Sequence, residues 1–183
     1  MSTLCLLYPA HVTIQNVNEF FAGILHPLMV PTHVLALLMA GLIASRAAKA
    51  SLTVSRIFIL ALMAGLTTSG FGVRVSTDWM LPLAVGLSAI FVAANIHWQK
   101  PVLSVVLVST LGGLMGIDTA FPELSGKALW WCLLGALIGA GLPSFYVARL
   151  AKKATRRWQH IAIRVIASWI FAVSILMVAL SLR

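Results

Sequence analysis

Apolar residues in this chain gather into long runs, and short clusters of basic residues separate them. A helix needs about 20 consecutive apolar residues to cross the hydrocarbon core of a bilayer. Six segments answer to that description: 20–45, 57–73, 79–98, 101–121, 128–148 and 161–182. The pattern predicts an all-α, polytopic membrane helix bundle of six transmembrane helices, forming one transmembrane domain over 1–183. The connections are short, so successive helices are expected to pack as antiparallel neighbours.

Composition supports this reading. Of 183 residues, 61% are hydrophobic and only 9% charged, against roughly 25% charged in an ordinary soluble domain. So few charges cannot cover a water-exposed surface, and the remainder must meet lipid or other apolar protein. A net charge of +9 would suit a nucleic-acid partner if it lay along one stripe with interleaved aromatics. Here it does not, so nucleic acid is excluded and the lipid bilayer is the expected partner.

The basic residues also set an orientation. Ten of the thirteen (Arg46, Lys49, Arg56, Lys100, Arg149, Lys152, Lys153, Arg156, Arg157 and Arg164) fall on one side of the six predicted helices. Arg74, Lys127 and Arg183 fall on the other. The positive-inside rule places the ten in the cytoplasm and both termini on the outer side, in a plasma (inner) membrane. The four acidic residues, Glu19, Asp78, Asp118 and Glu123, all fall toward the outer side. They either simply avoid the basic face or form a vestibule that gathers cations.

Other features point to packing and anchoring. Gly112 and Gly116, and likewise Gly135 and Gly139, are four apart, a spacing that lets helix backbones approach closely. Cys5 and Cys132 are far apart without CxxC spacing, which excludes a structural zinc site built from cysteines. Cys132 reads as a small packing residue. His97 beside Trp98 reads as an interfacial anchor, and His160 as a solvated or lipid-facing residue. Arg74 and Asp78 read as a surface pair. His11 is a weaker candidate for capturing a metal. Enzyme signatures such as GxSxG, HExxH or a phosphate-binding loop are absent, so no enzymatic activity is expected.

The segment with chemistry in it is the first. His26 and His33 are seven residues apart, on one face of a regular helix, with Pro27 and Pro31 between them. Neutral imidazole suits nickel, cobalt, copper and zinc. Seven residues of regular helix rise about 10 Å, so only a kink, or ligands from other helices, would let both rings serve one ion. Otherwise each histidine simply hydrogen-bonds across the bundle. Ionisable residues within spanning helices are nonetheless functional candidates by default. Asp118 and Glu123 share the outer depth of His26, with His33 expected about 10 Å deeper. If the first and fourth predicted helices touch, His26, His33, Asp118, Glu123 and Met115 form a candidate metal site.

The stretch GILHPLMVPTHVLALLMAGLIAS resembles the first helix of the HupE/UreJ family, membrane proteins associated with hydrogenase and urease gene sets. His26, His33, Leu35, Ala36, Gly41 and Leu42 match the family's pattern, while Thr32 stands where the family has an aspartate. Arg164, opening the last helix, matches as well. The family's second motif, two histidines with a nearby glutamate, corresponds to LMGIDTAFPE. There Gly116 and Glu123 fit, Met115 and about Thr119 replace the histidines, and Asp118 is an added carboxylate. The resemblance implies a small permease for a divalent transition metal, nickel or cobalt, as transient cargo and not a fixed cofactor. The loss of the second-motif histidines leaves an alternative: a non-transporting accessory or structural subunit of a larger membrane complex. A homo-oligomer fits either reading. Protonated imidazole cannot ligate, so uptake is expected to weaken as pH falls through roughly 6.5.

Overall fold

The computed structural model describes residues 18–47, 50–71, 77–94, 102–119, 121 and 124–182. Seven helices are found there: α1 (Glu19–Met29), α2 (Pro31–Arg46), α3 (Ser51–Gly70), α4 (Met80–Ala93), α5 (Val102–Asp118), α6 (Gly126–Lys152) and α7 (Arg157–Ser181). The described residues contain no strand.

Local chemistry sets the helix ends. The Asn18 side chain accepts from the Phe20 amide (3.2 Å), capping α1. The Gln159 side chain accepts from the Thr155 and Arg156 amides (2.9 Å each), closing the start of α7. Pro31 opens α2, where a missing amide hydrogen costs nothing.

The first predicted segment is not one straight helix. It breaks at Val30, which is extended (φ −88°, ψ 115°), and the axes of α1 and α2 meet at 78°. Pro27 and Pro31 explain the break, because each removes one amide from the hydrogen-bond ladder. A break of this kind is tolerated at membrane depth only inside protein or beside a cavity. Accordingly, α2 lies at the centre of the bundle and touches every other helix. His33, Ala36, Leu37 and Met39 through Ala44 are buried along it.

Neighbours in sequence are mostly not the principal neighbours in space. The closest pairings are α3 with α5, α1 with α6, α4 with α7 and α2 with α6. The expectation of successive antiparallel partners is therefore corrected. Short loops restrict where helix ends lie, but backbone approach decides which faces meet. A Cβ on Gly135 would lie 2.1 Å from the Phe20 carbonyl oxygen, and one on Gly139 2.3 Å from that of Ile24. A Cβ on Gly112 or Gly116 would stand 2.6 Å from the carbonyl oxygens of Phe58 and Leu62. The two glycine pairs read from the sequence are thus the contact lines of α6 on α1 and of α5 on α3.

Helices α3, α6 and α7 are long and apolar enough to cross a membrane, and α1 with α2 make a fourth crossing if counted as one broken span. The third and fourth predicted segments appear as α4 and α5, with 14 and 17 residues. The outward surface suits lipid. On α7 only Ala167, Ile170 and Ser174 are buried, while Trp169 is 72% and Leu176 59% exposed. In water that surface would be a large apolar patch. In a bilayer it needs no cover.

Candidate functional site

The break between α1 and α2 creates the site. On a straight helix His26 and His33 would be separated by about 10 Å of rise. Across the 78° bend their ring centroids are 5.5 Å apart, with the planes at 63°. The Phe121 ring also packs against His26, its centroid 5.0 Å away. The expected difference in depth between the histidines is corrected by the bend, which brings the rings side by side.

The first and fourth predicted helices do meet, as α2 and α5. His33 is fully buried, and its Nε2 lies 2.8 Å from Oδ2 of Asp118, the last residue of α5. The other carboxylate oxygen accepts from the Thr77 hydroxyl, just before α4. Three chain segments therefore converge on one carboxylate. The turn that carries it is fastened too. The Thr119 hydroxyl donates to the Met115 carbonyl (2.8 Å), and the Ser69 hydroxyl at the end of α3 donates to the Thr119 carbonyl (3.0 Å).

The second ring nitrogen of His33 is different. Nδ1 is buried and has no hydrogen-bond partner among the described residues. Burying a polar nitrogen without a partner is costly, more so in a membrane protein where no water competes. Nδ1 is the one polar atom of the ring that the described residues leave unsatisfied.

Of the five candidate residues, the structure brings together His26, His33 and Asp118. Met115 is buried in the apolar core one turn before Asp118, with its carbonyl engaged by Thr119. Glu123 lies outside the described residues, as do His11, His97 and Arg74. His160 is exposed beyond the basic run, as expected, and Cys132 is buried in packing. Among the described residues no three His, Cys, Asp or Glu side chains are arranged to hold a metal together. Asp118 accepts from Thr77 with one oxygen and faces His33 Nε2 with the other, and Nδ1 of His33 has no hydrogen-bond partner among the described residues.

Thr77, Ser69 and Phe121 were not foreseen. Thr77 sits in the sequence Ser-Thr-Asp-Trp with no helical register to mark it, and no pattern in the chain links it to a residue 41 positions later.

The two ends of the bundle differ in charge. Arg46, Lys152, Arg156 and Arg157 mark one end, at the close of α2 and α6 and the start of α7. There the Arg164 Nε donates to the Ala93 carbonyl (2.9 Å), tying α7 to the end of α4. Asp78 and Asp118 lie at the other end, before α4 and at the close of α5, with Lys127 in the first turn of α6 as the basic residue described there.

The model of the family described as HupE / UreJ protein matches residues 1–177. No curated protein and no solved structure matches the chain.

Proposed function

This chain belongs to the HupE/UreJ family, and from that premise we propose that it is a permease carrying a divalent transition metal, nickel or cobalt, into the cell across the plasma membrane. The observation that carries the reading is the pair His26 and His33. A proline-broken helix at the centre of the bundle holds these two rings 5.5 Å apart, and one ring offers a buried, unoccupied nitrogen. Imidazole is the ligand type these metals favour.

A pair of imidazoles is a weak site for a resident ion, and that suits transport. Conduction requires binding strong enough to admit the ion and weak enough to release it. The ion would keep part of its hydration shell and exchange water for imidazole on the way through. Asp78 and Asp118, at the end remote from the basic clusters, would raise the local cation concentration. In this reading the chain crosses the bilayer six times, with both termini outside and the basic clusters in the cytoplasm. Catalysis plays no part in it.

The rival reading is an accessory subunit of a larger membrane complex. It draws on α7, whose most apolar stretch is only 17% buried and could lie against partner helices as well as lipid. Reconstitution separates the two. Purified protein in vesicles should accumulate Ni²⁺ or Co²⁺, and the double variant His26→Ala/His33→Ala should not. Uptake should also fall on acidification, because protons and metal compete for the same imidazole lone pairs. Equal accumulation by the double variant would exclude the histidine path. A stoichiometric larger partner after native purification, with no uptake by the isolated chain, would establish the subunit reading.

A further inference from the structure

We propose that Asp118 is a positioning residue and not a metal ligand: it fixes the tautomer of His33 so that Nδ1 is the nitrogen presented to the ion. The proposal rests on the metal reading of the site and deepens it.

An ionised carboxylate only accepts hydrogen bonds, so a neutral imidazole facing it must place its proton on the facing nitrogen. Oδ2 of Asp118 faces Nε2 at 2.8 Å. The proton therefore sits on Nε2, and Nδ1 carries the lone pair. Oδ1 is held by the Thr77 hydroxyl, which keeps the carboxylate from rotating away. Thr119, the next residue, is fastened through both its hydroxyl and its carbonyl, so the carboxylate stands on a braced turn.

The other face of the ring completes the case. Nδ1 is enclosed, finds no donor among the described residues, and belongs to a side chain only 1% exposed. A carboxylate behind one nitrogen and an open lone pair on the other is the arrangement that orients an imidazole toward a metal and raises its basicity. The residue directly before His33 is Thr32, which brings no charge, so the orienting carboxylate comes across the bundle from α5. Thr77 then acts one step further out, on Asp118.

The test uses the full chain in detergent micelles, labelled with ¹⁵N-histidine and free of metal. Long-range ¹H–¹⁵N spectra should show His33, assigned by its loss in His33→Ala, with the proton on Nε2. Asp118→Asn keeps an acceptor oxygen and should hold that tautomer, while weakening Co²⁺ binding about tenfold through loss of the charge. Asp118→Ala should release the tautomer and weaken Co²⁺ binding by about 10- to 100-fold. Thr77→Val should lower Co²⁺ affinity less than Asp118→Ala and leave the proton on Nε2. A wild-type proton on Nδ1, or an Asp118→Ala protein with unchanged tautomer and Co²⁺ affinity, would overturn the proposal. Should the wild type show the Nε2 proton but bind no Co²⁺, the metal reading itself fails, and the assignment of Nδ1 as a ligand fails with it.

Discussion

Phe20 and Gly135 meet backbone to backbone: a single added carbon on Gly135 would stand 2.1 Å from the Phe20 carbonyl oxygen. This contact seats α1 on α6 and thereby fixes where His26 lies relative to α2. The position of the site depends on a glycine remote from both histidines in sequence.

Gly135→Ala and Gly139→Ala should therefore destabilise the protein by about 2 kcal/mol or more each, since the obstructing atoms are backbone and cannot rotate aside. Gly113 offers the control. A Cβ there would meet nothing within 4 Å, so Gly113→Ala should be neutral or stabilise by up to about 1 kcal/mol through helix propensity. Thermal unfolding in detergent, followed by circular dichroism, reads all three.

Replacing the prolines should move the histidines. Pro27→Ala/Pro31→Ala restores two amide donors to the ladder and favours a straighter helix over residues 19–46. The rings should separate toward the roughly 10 Å rise of a regular helix, and Co²⁺ affinity should fall at least about tenfold, the cost of losing one of two paired donors. Titration with Co²⁺ checks this, and unchanged affinity would show that the bend is not needed.

Ser88 and Ser174 are both fully buried, and neither hydroxyl has a hydrogen-bond partner among the described residues. Ser174 packs on α4 beside Gly86. Removing an unsatisfied buried hydroxyl should cost nothing and can stabilise by about 1 kcal/mol. Ser88→Ala and Ser174→Ala should keep or raise the unfolding temperature. Thr119→Val, which breaks the hydroxyl's bond to Met115, should lower it.

Orientation is open to direct labelling. Thr155 is exposed within the basic segment between α6 and α7. In a chain with Cys5 and Cys132 replaced by alanine, Thr155→Cys should react with an impermeant maleimide only after the membrane is opened. Reaction in intact cells would invert the proposed topology.

Much of this molecule could be read from the chain itself. The scarcity of charge and the length of the apolar runs required helices in lipid, because a helix satisfies its backbone hydrogen bonds within one segment and needs about 20 unbroken apolar residues, whereas barrel strands are about half as long and alternate. Gly112 with Gly116 and Gly135 with Gly139 announced close helix contacts, and both pairs make them. His26, Pro27, Pro31 and His33 announced a disturbed helix carrying metal-type ligands. Hydropathy could not show that the disturbance is a 78° break, because a count of apolar residues is blind to the direction of the chain.

What the sequence alone determined, then, was the solvent, the helical class, the contact glycines and the two histidines, all of which follow from local composition and spacing. Only the tertiary structure decided that His33 meets Asp118 across 85 positions and that Thr77 holds the carboxylate from a third segment. Those partnerships depend on which helix faces are complementary enough to touch. Such complementarity belongs to pairs of distant surfaces, and no single stretch of chain encodes it.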